Sequence, residues 1–271
     1  MDNFSSVMKK EVLTFTTEGY AKQRAAKRDG IILTLHNAFA DAAGKMTGEQ
    51  DFIDIATRKF EEEPDDLYGS TVSLPRIPLL RLPIEKNVSS ILPSVVTIRA
   101  GQYHGSGFFV SEDGLIITNS HVVGEAKFVG IVLNNGLETR GEVLRRNDRR
   151  DVALVKVDLR VPEALAIRET DVKSLERVYA VGSPLIEDLK STVTSGVVSA
   201  VRHDSKTGLL MIQADVPVTG GNSGGPLLDD QGNIVGLTVA GYTAGEGLNL
   251  FIPIAEALEV LKIGLVNAPS S

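Results

Sequence analysis

The sequence predicts a mainly β protein, a sandwich or a barrel, with a helical segment in front of it. From residue 88 onward, short β-type runs alternate with glycine-bearing turns, and hardly any helical periodicity lies between them. Before that point, apolar residues recur at helical rather than strand spacing.

The helical part comes first. Across residues 18–63, Ile31, Ile32, Leu35, Phe39 and Ala43 share one helical face. Thr47 followed by Gln50 reads as a capping box that opens a second helix, which Pro64 stops. The stretch TVSLPRIPLLRLPIEK (71–86) follows. Its Pro75, Pro78 and Pro83 forbid a regular helix and predict an extended connector lying along a surface. The strands then read VVTIR (95–99), GFFVS (107–111), LIITN (115–119), VGIVL (129–133), VALVKV (152–157), STVTSGVVSAV (191–201), LLMIQAD (209–215) and NIVGLTVAG (233–241). A barrel removes the exposed edges that so many strands would otherwise leave. The closing IPIAEALEVLKIGL puts Ile254, Leu258 and Leu261 on one face and predicts a terminal helix.

Composition narrows the function. With 28 Lys and Arg against 35 Asp and Glu, the net charge of −7 argues against a general nucleic-acid binder. The absence of cysteine excludes disulfide scaffolds, Cys-ligated metals and thiol nucleophiles. No phosphate loop or metal-ligand spacing is present, so no cofactor is expected, and the acidic run 61–66 reads as a solvated face. No apolar run approaches the roughly 20 residues of a membrane span. The first thirty residues lack the apolar core of a secretory signal. The protein is therefore cytosolic, or its targeting segment lies outside this chain.

The stretch TGGNSGGPLLD (219–229) carries the chemistry. Gly221-Asn222-Ser223-Gly224-Gly225 satisfies the G-x-S-x-G nucleophile elbow, but that fold needs a histidine after the serine. The histidines are His36, His104, His121 and His203, and all of them precede Ser223. A serine hydroxyl needs a positioned base, usually histidine. His121 directly follows an apolar strand, which would hold it rigidly at a cleft. Asp151 immediately precedes another strand and is placed to orient an imidazole. The order His121, Asp151, Ser223 is that of chymotrypsin-type proteases rather than of subtilisin or the α/β-hydrolases. His104 is a lesser candidate for lining the cleft, while His203 and His36 read as surface or interhelical residues.

Taken together, GSGFFVSEDGLIITNSHVV (105–123), DVALVKVD (151–158), VYAVGSPL (178–185) with STVTSGVVSAV, QADVPVTGGNSGGPLLDDQGNIVGL (213–237) and FIPI (251–254) resemble the HtrA/Deg branch of trypsin-like serine proteases. The likeness spans about residues 88–262. It implies a chymotrypsin-like double six-stranded β-barrel over residues 86–271, after a helical extension and connector over 1–85. It implies a catalytic triad of His121, Asp151 and Ser223, with the N–H groups of Gly221 and Ser223 as the oxyanion hole. The specificity pocket maps onto Pro217, Val218, Leu237, Thr238 and Val239. With no carboxylate at its base, it should take small or medium apolar side chains. Asn222 cannot form the ion pair that an aspartate makes in secreted digestive relatives on zymogen activation, so control should come from ordering of a loop near 183–193.

Relatives in this family often add PDZ domains after the protease. About ten residues follow the terminal helix here, so none is expected. The resemblance further implies protein or peptide substrates, unfolded or misfolded ones above all, a homotrimer, and work in the cell envelope. The competing reading is a catalytically silent or autoinhibited protease-like chaperone or binding module.

Overall fold

The computed structural model describes residues 2–8, 11–17, 70–101, 103–161, 163–182, 192–204, 207–245 and 248–267. The chain divides into two compact units, Met1–Leu67 and Tyr68–Ser271. In the first, β1 (Asp2–Met8) and β2 (Glu11–Thr17) pair as an antiparallel hairpin, which the sequence reading did not anticipate. The helices predicted over 18–63, the Thr47–Gln50 box, His36 and the acidic run 61–66 all lie outside the described residues.

The second unit contains two closed barrels. The first is built from β4 (Val95–Ala100), β5 (Tyr103–Phe109), β6 (Leu115–Thr118), β7 (Phe128–Val132), β8 (Glu138–Asn147) and β9 (Val152–Val157), in the order β4-β5-β6-β9-β8-β7. A short helix, α2 (Ser120–Val123), follows β6. The second barrel uses β10 (Arg177–Gly182), β11 (Thr192–His203), β12 (Leu210–Ala214), β13 (Pro226–Leu228), β14 (Ile234–Gly245) and β15 (Leu248–Pro253), in the order β10-β11-β12-β15-β14-β13. The expected double six-stranded barrel is therefore the observed fold.

Period-two alternation explains why these strands read as nearly unbroken apolar runs. Phe109, Ile116 and Val155 fill the interior of the first barrel, and Phe251, Leu227 and Val235 fill that of the second. Their immediate neighbours Phe108, Ile117 and Leu154, and Leu228, Ile234 and Ile252, point the other way into a third apolar cluster that joins the barrels. Each strand at this seam is buried on both faces, so hydrophobic residues occupy both phases of the alternation.

The connector belongs to this unit. β3 (Val72–Pro75) extends along the surface as predicted, yet its Leu74 is buried in the seam cluster. After Pro83 the chain turns into α1 (Ile84–Ile91), which buries Ile84 and Ile91. Pro83 ends the extended run and precedes the helix, where a missing N–H costs nothing.

The terminal helix is shorter than expected. α3 (Ile254–Val260) buries Ile254 and Leu258 as the periodicity indicated, but Ile263–Val266 is a strand, β16, parallel to β3. Lys262 breaks the helix with φ +50°, and the backbone bonds offered by β3 then outweigh continued helix. The buried Arg145 fixes this corner, donating to the carbonyls of Leu261 (2.6 Å), Lys262 (3.0 Å) and Ser70.

Candidate active site

His121 lies on α2, two residues beyond Asn119, which directly follows β6. Its ring Nδ1 is 2.8 Å from Asp151 Oδ2 and 3.0 Å from Oδ1. Its main-chain N–H donates to Asp151 Oδ1 at 2.9 Å. The carboxylate thus grips both the backbone and the ring of one residue. With Nδ1–H turned to the acid, Nε2 is left as the basic nitrogen.

Asp151 sits at the end of the β8–β9 turn with φ +60°, a left-handed conformation that Asp and Asn tolerate better than most residues. Buried Asn119 holds it there, its Nδ2 donating to the Asp151 carbonyl at 2.8 Å. Asn119 escaped the sequence reading because it acts on a carbonyl, which leaves no mark on residue type. Its only signal was its place in the T-N-S-H stretch.

Ser223 is buried in the loop between β12 and β13. The N–H of Asn222 donates to Thr219 O (3.1 Å) and that of Gly225 to Asn222 O (2.9 Å), closing two successive turns. The third residues of these turns are Gly221 (φ +99°) and Gly224 (φ +82°), the position where a type II turn requires glycine. The first barrel grips this loop. Ser106 N–H donates to Ser223 O at 2.7 Å and Ser106 Oγ to Gly221 O at 2.6 Å. Thr118 Oγ1 in turn donates to Ser106 O at 2.7 Å. Gly105 fits between Val122, next to His121, and the Ser223 carbonyl, where a Cβ would come within 2.6 and 2.9 Å of them. The serine loop therefore abuts the segment that carries His121 across the seam.

Pro217 is exposed, and Val218 is half-buried against the interior of the second barrel. Leu237 is fully buried in the seam cluster, Thr238 is buried, and Val239 packs partly buried beside that cluster. The Thr238 main chain is bonded to the serine loop, its N–H donating to Gly225 O at 2.9 Å and its carbonyl accepting from Gly224 N–H at 3.0 Å. Asp215, near the pocket base in sequence, is committed elsewhere, its Oδ1 accepting from Val197 N–H at 2.6 Å. His104 is exposed on β5 opposite Arg99, and His203 is exposed with Nδ1 2.9 Å from Gly208 O. Most of the loop near 183–193 lies outside the described residues. Among the described residues there is no His, Asp and Glu cluster able to hold a metal, and no helix long and apolar enough to cross a membrane. A cavity of about 450 Å³ beside β3 and β16 includes none of the candidate site residues.

Asn222 is 2% exposed, and its Oδ1 has no hydrogen-bond partner among the described residues. Gly182 lies against that oxygen so closely that a Cβ would come within 2.1 Å. Asn222→Asp therefore places a carboxylate in a buried spot where one of its oxygens finds no partner among the described residues, so its pKa rises above the unfolded value of about 3.9. The penalty is absent below that pH and grows as the pH climbs towards the raised folded value. The expected result is a loss of more than about 2 kcal/mol at pH 7, measured by urea unfolding, with most of it recovered near pH 4.

Two closed six-stranded barrels packed face to face define the chymotrypsin-like class of protein. The trypsin-like peptidase domain family matches residues 105–237. The chain is 33% identical over 193 residues to serine protease HTRA1B of Danio rerio, covering 68% of this chain and 40% of that one. It is 38% identical over 175 residues to a probable periplasmic serine endoprotease DegP-like of Pseudomonas fluorescens, covering 61% of this chain and 36% of the relative. The solved structure of the HtrA-type protease AlgW with tripeptide superposes with a TM-score of 0.59 at 29% identity, covering 65% of this chain and 61% of that one. The chain belongs to the HtrA-like branch of the trypsin-like serine proteases. It spans less than half the length of these two sequence relatives.

Proposed function

We propose that the protein is a serine endopeptidase in which Ser223 is the nucleophile, His121 the general base and Asp151 the orienting acid. The observation that carries this reading is the double grip of Asp151 on the Nδ1 and main-chain N–H of His121. Ser223 Oγ attacks the scissile carbonyl carbon while its proton passes to His121 Nε2. The carbonyl oxygen becomes an oxyanion facing the N–H groups of Gly221 and Ser223. A donor of this kind typically lowers the barrier by about 3 kcal/mol. Collapse expels the amine, which takes the proton from His121, and leaves an acyl-enzyme. Water, deprotonated by the same histidine, then releases the acid.

The apolar surroundings of Val218 and the prior commitment of Asp215 favour small or medium apolar residues at the cleaved position. Unfolded or misfolded chains, which expose such residues, are the substrate class that follows. A fluorophosphonate probe with a panel of unstructured peptides tests the reading. Wild type should be labelled at Ser223 and Ser223→Ala should not, and peptides with Val or Ala at the cleaved position should turn over at least about tenfold faster than those with Lys. Absence of labelling together with retained binding of unfolded protein sinks this reading and favours the silent binding module.

A further inference from the structure

The turn that carries Asp151 makes an attachment that the proposed reaction does not use. Arg150, next to Asp151, is 3% exposed, and its side chain leaves the first barrel altogether. One terminal nitrogen donates to the carbonyl of Leu210 on β12 of the second barrel, and the other lies 3.4 Å from Met211 Sδ. Nε lies 3.0 Å from Glu256 Oε2 on α3, close enough for an ion pair although the angle makes no hydrogen bond, so the directional contact is the one to Leu210. The Arg150 main-chain N–H donates to Asn147 Oδ1 at 2.8 Å, which fixes the turn from the opposite side.

Such an arrangement needs a reason. A buried guanidinium loses hydration, and well-packed apolar side chains of similar volume commonly serve stability as well or better. Burial indeed lowers the Arg150 pKa below its ordinary value, with Glu256 working in the opposite direction. What arginine adds over an apolar residue is direction, because its planar fork fixes the angle of whatever it is attached to. Here that is the residue beside Asp151, itself held at φ +60°. A left-handed aspartate relaxes readily unless its neighbours determine it on both sides. Asn119 determines the Asp151 carbonyl from the His121 side, and Arg150 determines the preceding peptide from across the seam.

We infer that Arg150 is a positioning residue for Asp151, fixing the acid's angle to His121 by anchoring its turn to β12 and α3 of the second barrel. The inference rests on the proposed triad for its catalytic consequence but not for its structural one. The ionisable groups in contact with the assembly are Glu256 on Arg150 and His121 on Asp151, while Asp148 of the same turn pairs with Arg146.

The test compares Arg150→Met, which keeps the volume and removes the fork, with Arg150→Lys, which keeps the charge. In the folded Met variant kcat on a peptide substrate should fall at least about tenfold, with KM within about twofold, since substrate contacts are untouched. The His121 Hδ1 proton resonance should move upfield and broaden as the bond to Asp151 lengthens. The Lys variant should fall between Met and wild type by both measures. A clamp that only holds the barrels together would lower the thermal midpoint while leaving kcat per folded molecule and the Hδ1 resonance at wild-type values, and that result overturns the inference. If Arg150→Met does not fold, Arg150→Lys alone decides by the same two readings. If wild type neither turns over nor takes the probe, the proposed function falls, but the Hδ1 comparison still decides the role of Arg150.

Discussion

Replacing Asp151 with asparagine should lower kcat by about 10⁴-fold while leaving KM within about twofold and the unfolding midpoint nearly unchanged. The loss corresponds to roughly 5 kcal/mol of barrier. The reason lies in the geometry of the two oxygens. Oδ1 accepts the main-chain N–H of His121 and Oδ2 accepts its ring Nδ1–H. An amide has one oxygen to meet these two donors, so its NH₂ must face one of them. If the oxygen stays with the main chain, the NH₂ meets Nδ1 and forces the proton onto Nε2, where it blocks acceptance from Ser223. If the oxygen stays with the ring, the main-chain donor of α2 faces another donor and the helix must shift. Steady-state kinetics on an unstructured peptide, with thermal melts alongside, provide the check. A kcat within tenfold of wild type would show that the acid does not orient the base.

Gly224→Ala should destabilise the fold by about 2–5 kcal/mol and remove activity along with it. A Cβ at this position would lie 2.2 Å from Ser106 O and 2.3 Å from Thr118 Oγ1, with Asn119 N at 3.2 Å. The nearest of these is backbone, and the hydroxyl is tied to the same carbonyl, so neither can step aside. The φ of +82° adds left-handed strain of about 1–2 kcal/mol for any L side chain. Forced overpacking adds roughly 1–3 kcal/mol more. Gly220→Ala is the matched control, because a Cβ there meets nothing within 4 Å and the residue is not left-handed. Denaturant midpoints for the pair should differ widely. Equal midpoints would contradict the tight approach of the serine loop to the first barrel.

How much of this was legible beforehand follows from where each residue acts. The apolar strands announced themselves because alternate residues serve a barrel interior and the seam, so no polar phase interrupts them. β8, reading ETRGEVLRRN, hid because its outward face is charged, and β13 hid because three residues carry no period. β16 was absorbed into the predicted helix, since its partner β3 lies 191 positions away and local pattern cannot reveal it. In the candidate site, His121, Asp151 and Ser223 were legible through side-chain chemistry and order along the chain. Asn119, Ser106 and Arg150 were not. They bond to carbonyl oxygens, which every residue possesses, so only the fold shows what they hold.

The pairing of β3 with β16 also sets how the second unit bears tension. The two strands run parallel, from Val72 beside Ile263 to Pro75 beside Val266. Pulling the chain backwards from Val72 and forwards from Val266 therefore draws the strands past each other lengthwise, so all their rungs resist together instead of opening one after another. The strap lies upstream of β4 and downstream of β15, so such a load is taken up there before it reaches either barrel. The strand ladders of both barrels are thereby spared the first part of such a load, which falls on the strap rungs and on the seam contacts of Leu74 and Ile263.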